Sequence, residues 1–149
     1  MKLEDEIKQK QFANPYHRMM VNILFTASWL QIRHQRILKP FGITPQQFNV
    51  LRILRGQFPA AASVSLIQER MIDRSSNASR LVEKLFAKKF VDRKTCPEDR
   101  RQVDVRITQK GLDLLSQLDK QMNEFDARLK HLSEKEANDI ADMLDKYRG

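Results

Sequence analysis

Between positions 75 and 90 the chain reads SSNASRLVEKLFAKKF, with hydroxyl and amide side chains at the front and lysines at the back. Ser75, Ser76, Asn77, Ser79 and Arg80 carry donors and acceptors on mostly short stems, just after Arg74. The chemistry this combination serves is non-covalent recognition. Small polar side chains in a first turn let a helix end sit deep in a major groove, where Asn and Arg read base edges. The unpaired N–H groups and positive dipole of that turn also favour phosphate. Ala78, Leu81, Val82 and Leu85 form a stripe that packs inward, and Asn77, Arg80, Lys84 and Lys88 share roughly the opposite face. A plainer reading also applies: Ser75 or Ser76 is expected to be the N-cap, and helix lysines are often simply solvated. One capping serine still leaves Asn77, Ser79 and Arg80 unexplained.

A second candidate is PEDRRQVDVRITQKG. A hairpin tip carrying Arg100 and Arg101 can lie along a nucleic-acid backbone and place a guanidinium in a narrow minor groove, with Asp99 holding the arginine in position. By itself the loop is equally an exposed charged turn. The charge distribution bears on both candidates. The net charge is +8, and Arg74 to Lys110 carries 11 Lys/Arg against 5 Asp/Glu, whereas residues 111–149 carry 6 against 9. Positive charge concentrated in a quarter of the chain points to an anionic partner such as nucleic acid, or to a solvated basic face.

Other chemistry is poorly represented. His17, His34 and His131 have no metal-ligand spacing with one another or with Cys96, and there is no Gly-rich phosphate loop or G-x-S-x-G elbow. No enzyme activity, metal or cofactor is expected. The lone Cys96 excludes an internal disulfide framework and fits a reducing cytoplasm. Arg93, Lys94 and Arg100 nearby could lower its pKa, but an incidental thiol is the favoured reading over a redox switch. Met1 is followed by KLEDEIKQK without an apolar segment, so no secretory leader is expected. The most apolar window, MMVNILFTASWL, is too short to cross a bilayer.

The elements that must position these residues follow from pattern. Leu3 and Ile7 make a short amphipathic arm over 2–12 plausible, and Asn14-Pro15 reads as an N-cap with proline at the first helical position. The helix to about Leu38 is apolar nearly all the way round, as expected of a helix that a second subunit helps to cover. Pro40-Phe41-Gly42 stops it, and Thr44-Pro45-Gln46-Gln47 opens the next helix as a capping box, running to about Gln57. Ala61 to Ser63 suits a very short strand, and Val64 to Ile72 a short helix. Val91 leads into a strand, and Val103, Val105 and Ile107 alternate with Asp104 and Arg106, giving a two-stranded hairpin with Pro97-Glu98-Asp99 in its turn. Thr108 caps a helix with a stripe at Leu115, Leu118, Met122, Phe125, Leu129 and Leu132, and Ser133 to Glu136 is a capping box for the last helix. The fold class is therefore mostly α with a small β-hairpin wing: a winged helix-turn-helix core flanked by long N- and C-terminal dimerisation helices.

Three segments, ITPQQFNVLRIL, RMIDRSSNASRLVEKLFAKKFVDR and CPEDRRQVDVRITQKG, resemble the corresponding segments of MarR-type transcriptional regulators in order and spacing. Asp99 and Arg101 of the wing, followed by alternating apolar residues, Thr108 and Gly111, carry much of the likeness. Two positions depart from the family pattern: Ile72 and Asp73 stand where a glycine-like residue and then a leucine are usual, and Gln102 where a small residue is common. The resemblance implies a homodimer with interlocking terminal helices on double-stranded DNA at a pseudo-palindromic operator. It places Ser76, Asn77, Ser79 and Arg80 at the major groove and Arg101 at the minor groove. It divides the chain into a dimerisation arm (1–40), a DNA-binding domain (41–110) and a C-terminal dimerisation region (111–149). A repressor released by a small apolar or phenolic effector is the implied function, with Phe25, Trp29, His34 and Phe48 as candidate lining or as plain core. The alternative is a winged-helix protein–protein interaction module that does not bind DNA.

Overall fold

The computed structural model describes residues 1–95, 103–128 and 131–149. The arm shrinks to one turn, α1 (Leu3–Glu6), in which Leu3 is buried. The Arg18 Nε donates to Glu4 Oε1 at 2.6 Å and ties this turn to α2 (Pro15–Leu38), which Asn14 caps by accepting from the His17 N–H. A 3₁₀ turn (Lys39–Phe41) ends α2, and Gly42 reverses the chain at φ 68°, a conformation that strains residues with a Cβ. Helix α3 (Pro45–Gln57) begins with both bonds of the expected capping box, Thr44 with Gln47.

The short strand is β1 (Ala62–Ser63), and Ser63 then caps α4 (Val64–Arg70) by accepting from the Leu66 N–H at 3.1 Å. Next come α5 (Ala78–Ala87), β2 (Val91–Thr95), β3 (Val103–Ile107), α6 (Gln109–Arg128) and α7 (Glu134–Arg148). Thr108 Oγ1 accepts from the Gly111 N–H at 3.1 Å at the start of α6, and the Ser133–Glu136 box opens α7.

The sheet joins the expected hairpin and the expected short strand, which the sequence left unplaced: three antiparallel strands in the order β1-β3-β2. Ala62 pairs with Val105 and Ser63 with Asp104, while Val91 pairs with Ile107 and Arg93 with Val105. Ala62 and Val105 are both fully buried, and the small alanine lets this edge strand sit against the core. Alternation within β3 revealed its pairing with β2, but β1 is too short to show alternation.

One hydrophobic core joins the end of α2 to α3, α4, α5, the sheet and the first half of α6, from Leu38 to Leu118. Leu38 and Leu114 to Leu118 lie beyond the 41–110 span, so this packing extends past both ends of it. Leu38 is the only buried residue of α2, and Met20, Leu24 and Ile32 stand exposed. The α6 stripe fades from buried Leu115 and Leu118 to half-buried Met122 and Phe125; Leu132, expected on the same helix, stands exposed in a bend beyond its end, and Leu129 lies outside the described residues. In α7, Ile140, Met143 and Tyr147 are exposed.

Candidate nucleic-acid interface

Helix α5 is two-faced. Ala78, Val82 and Leu85 are buried, while Ser79, Arg80 and Lys84 are exposed on the other side. Its C-terminal end is closed by a Schellman arrangement: the Phe90 N–H donates to Leu85 O at 3.0 Å and the Lys89 N–H to Phe86 O at 2.8 Å. The left-handed position, φ 63°, is held by Lys89 rather than by glycine.

The N-cap is Asn77, not Ser75 or Ser76, which corrects the sequence reading. Asn77 Oδ1 accepts from the Arg80 N–H at 2.9 Å, and the helix starts at Ala78. Both serines are held in the preceding turn by Asp73. Ser75 Oγ donates to Asp73 Oδ1 at 2.6 Å, and Ser76 Oγ donates to Oδ2 at 2.8 Å. These bonds to an ionised acceptor fix both serines in the turn that precedes the helix, two positions and one position ahead of the cap. The Ser75 hydroxyl, then the Ser76 hydroxyl and the Ser75 N–H, hold the Asp73 carboxyl below its ordinary pKa.

Two further residues that sequence reasoning missed fix this turn. Gln68 of α4 donates from Nε2 to Arg74 O and accepts at Oε1 from the Ala78 N–H, both at 3.0 Å. Asn49 of α3 accepts from the Ile72 N–H at 3.0 Å. A single glutamine thus bridges the turn and supplies a partner for an otherwise orphaned helix N–H. The Asp-x-Ser-Ser spacing was a readable signal for the Asp73 turn; the partners of Gln68 and Asn49, ten and 23 residues away, left no local trace. Together Ser65, Gln68, Arg74, Ser75, Asn77 and Ser79 help line an open concavity of about 770 Å³ between α4 and the start of α5.

Lys88 does not share the outward face, a second correction. It is half-buried, and its Nζ donates to Gly42 O and, at 3.3 Å, to Gln47 Oε1, fastening α5 to the start of α3. Beside it Thr108 Oγ1 donates to Lys89 O at 2.9 Å, the Thr108 N–H to Phe90 O at 3.1 Å, and Lys110 Nζ to Lys88 O at 3.0 Å. The base of the wing is therefore clamped to the end of α5. Arg93 on β2 adds a tie, 3.8 Å from Glu83 and 5.0 Å from the Phe86 ring centroid. Asp99, Arg100 and Arg101 of the wing tip, the Pro97-Glu98-Asp99 turn and Cys96 lie outside the described residues.

The four aromatic candidates are spread along α2 and α3. Phe25, Trp29, His34 and Phe48 are all half-buried. The Arg33 guanidinium stacks 3.6 Å from the Trp29 centroid, His34 meets Phe125 edge-on at 5.4 Å, and Phe48 packs against the core. None of them lines the apolar groove of about 600 Å³ between α2 and α7, which Met19, Ile23, Leu30, Ile140, Met143 and Tyr147 help to form. Among the described residues no group of His, Cys, Asp and Glu is placed to hold a metal, and no helix is long and apolar enough to cross a membrane.

Comparison with known proteins agrees with this geometry. A model of the MarR family matches residues 43–103, from the start of α3 into β3. The HTH-type transcriptional regulator MhqR of Bacillus subtilis (strain 168) is 32% identical over 106 residues, covering 69% of this chain and 70% of that protein. The crystal structure of a MarR-like transcription regulator from Bacillus cereus ATCC 10987 superposes with a TM-score of 0.77 at 23% identity, covering 88% of this chain and 94% of that one. BpsR of Bordetella bronchiseptica, whose structure concerns regulation of DNA binding by 6-hydroxynicotinic acid, gives a TM-score of 0.68 at 26% identity, covering 85% and 91%. With the winged helix-turn-helix core in place and its first-turn polar residues outward, the chain belongs to the MarR family of transcriptional regulators and is not an enzyme.

Proposed function

We propose that this regulator acts in the cytoplasm as a homodimeric repressor. Each protomer sets the start of α5 in the major groove of one half of a pseudo-palindromic operator, the two about one helical turn apart. Arg74, Ser75, Ser76, Asn77, Ser79, Arg80 and Lys84 form the groove-facing set, and Arg100 and Arg101, steadied by Asp99, serve the minor groove. The observation that carries this reading is the two-faced α5, whose polar front stays exposed over a fully buried back. The exposed apolar residues of α2 and α7 support pairing with a second copy, with 1–40 and 111–149 as dimerisation regions around 41–110. Release by a small apolar or phenolic effector is supported by the BpsR relative, and Phe25, Trp29, His34 and Phe48 are its candidate lining.

Gel shifts across a salt series test the central claim. Log affinity is expected to fall steeply and linearly with log salt, and Lys84→Ala to weaken all duplexes alike while reducing the slope by about 1. A protein that leaves every duplex unshifted at low salt, or that is monomeric at micromolar concentration, defeats the reading and favours an interaction module.

A further inference from the structure

The Asp73 turn carries an inference that rests on the proposed function and goes beyond it. The carboxylate receives three bonds: Ser75 N–H and Oγ at Oδ1 (3.0 and 2.6 Å) and Ser76 Oγ at Oδ2 (2.8 Å). An ionised carboxylate only accepts, and a hydroxyl has a single proton. Both serines therefore spend their proton inward. What they offer outward is lone pairs alone. Ser75 is exposed and Ser76 half-buried, and both line the concavity at the foot of α5. Arg74, Arg80 and Lys84, also exposed, are donors only.

We infer that Asp73 is a specificity-determining residue: by fixing Ser75 and Ser76 as acceptors, it selects a base with an exocyclic amino group, adenine N6 or cytosine N4, at the major-groove edge beneath them. Phosphate oxygens, guanine O6 and N7, and thymine O4 have no proton to offer such a pair. The negative charge behind the serines disfavours these acceptors further. Attraction to the backbone then falls to the arginines and Lys84, and discrimination between bases to the serine pair. Asp73 touches no base itself; it acts through the serines as a positioning group that works partly by exclusion.

The test is selection of bound duplexes from a library with a randomised half-site, followed by competition binding, for wild type and Asp73→Asn. In the variant the amide oxygen keeps the two Ser75 bonds, and Nδ2 donates to Ser76 Oγ, which turns the Ser76 proton outward. The wild type is expected to prefer an amino-bearing base by about tenfold at the affected position. Asp73→Asn is expected to shift that preference to guanine or thymine and, with the negative charge removed, to bind random duplex at least as tightly as wild type. Ser75→Ala and Ser76→Ala cover the case of an unstable Asp73→Asn protein, and each is expected to lose its own discrimination. Replacing the preferred adenine by purine should then weaken wild type about tenfold and leave the matching alanine variant unaffected. An unchanged base preference in these variants, or an equal loss of affinity on all sequences including random duplex, overturns the assignment to Asp73 alone. A wild type that ignores every duplex overturns the proposed function, and this inference with it.

Discussion

The segment from Met71 to Phe90 and the outer helices α2 and α7 handle burial in opposite ways. Around α5 the apolar side is sealed, and the polar groups of its first turn find partners within the chain: Arg80 N–H on Asn77, Ala78 N–H on Gln68, the serines on Asp73. In α2 and α7 the relation is reversed. Leu24 and Met143 are both 63% exposed, and nothing in α7 is buried. Isolated apolar side chains on a surface are ordinary, but two adjacent helices exposing them together form the surface to which the proposed pairing with a second copy is assigned. The contrast separates what one chain can complete from what it cannot. The start of α5 is preformed, so substitutions beneath it act on stability. In the proposed pairing of two copies the outer helices meet a partner, so substitutions there are expected to act on association.

The largest effect should come from setting those two regions directly against each other. Leu85 has no exposed surface, and Leu85→Ala is expected to cost about 2–5 kcal/mol in urea unfolding. Leu24→Ser is expected to leave the fold within about 0.5 kcal/mol of wild type in the monomer, while shifting sedimentation equilibrium toward the monomer. If Leu24→Ser unfolded the chain as Leu85→Ala does, and left self-association unchanged, the division between the regions would be lost. Next comes Gly111, where a Cβ would lie 2.4 Å from Phe90 O and 2.7 Å from Ile107 Cγ1. One of those atoms is backbone, held by the Thr108 N–H, so neither neighbour yields cheaply. Gly111→Ala is expected to cost about 1–3 kcal/mol by overpacking and to loosen the wing from α5. A thermal midpoint equal to wild type would show that the clamp has slack.

These residues also show how far a sequence can be read. Thr44, Asn14 and Ser133 were legible as caps because a cap and its N–H are three residues apart and few groups compete. The same rule misplaced the cap of α5, since the Asp73 turn delays the helix start to Ala78, and three neighbouring residues of capping type give no local sign of which one stands at that boundary. Lys88 was misread for a different reason. Its helical spacing matches Lys84, but its acceptor, Gly42 O, lies 46 residues away. The apolar periodicity of α5 and β3 survived intact, because burial against a core imposes period on every residue of an element. The nearly all-round apolar pattern of α2 was legible as a sequence, and only the folded chain shows how much of it one copy leaves uncovered.

A smaller effect, of opposite sign, is expected at Lys89. Its φ of 63° lies in the left-handed region, which costs a residue with a Cβ about 1–2 kcal/mol relative to the right-handed one. Glycine lacks that penalty but leaves a freer unfolded chain. Lys89→Gly is therefore expected to raise stability by about 1 kcal/mol or less, with the Schellman bonds retained. A lower midpoint would mean that the lysine does work at this corner beyond filling it.

The smallest effect is pH-dependent and touches both regions without touching the core. Asp73 is held below its ordinary pKa by the serine hydroxyls, Glu136 by the Ser133 N–H and hydroxyl, and Glu4 by Arg18. A carboxyl whose pKa is lowered by folding stabilises the folded state above its unfolded pKa, and this contribution fades as pH falls through the lowered value. Acidification below the ordinary carboxylate range, about 4, is therefore expected to release the Asp73 turn, the start of α7 and the α1 tie. The amides of Val82 and Leu85, behind a buried face, should stay protected from hydrogen exchange throughout. Following the Ser75 amide by NMR isolates the α5 side of the comparison, because its N–H bonds Asp73 directly. That resonance should titrate in wild type and stay flat in Asp73→Asn. A resonance equally flat in both proteins would mean that the carboxylate does not hold the turn, and that the start of α5 owes its shape to Gln68 and Asn49 instead.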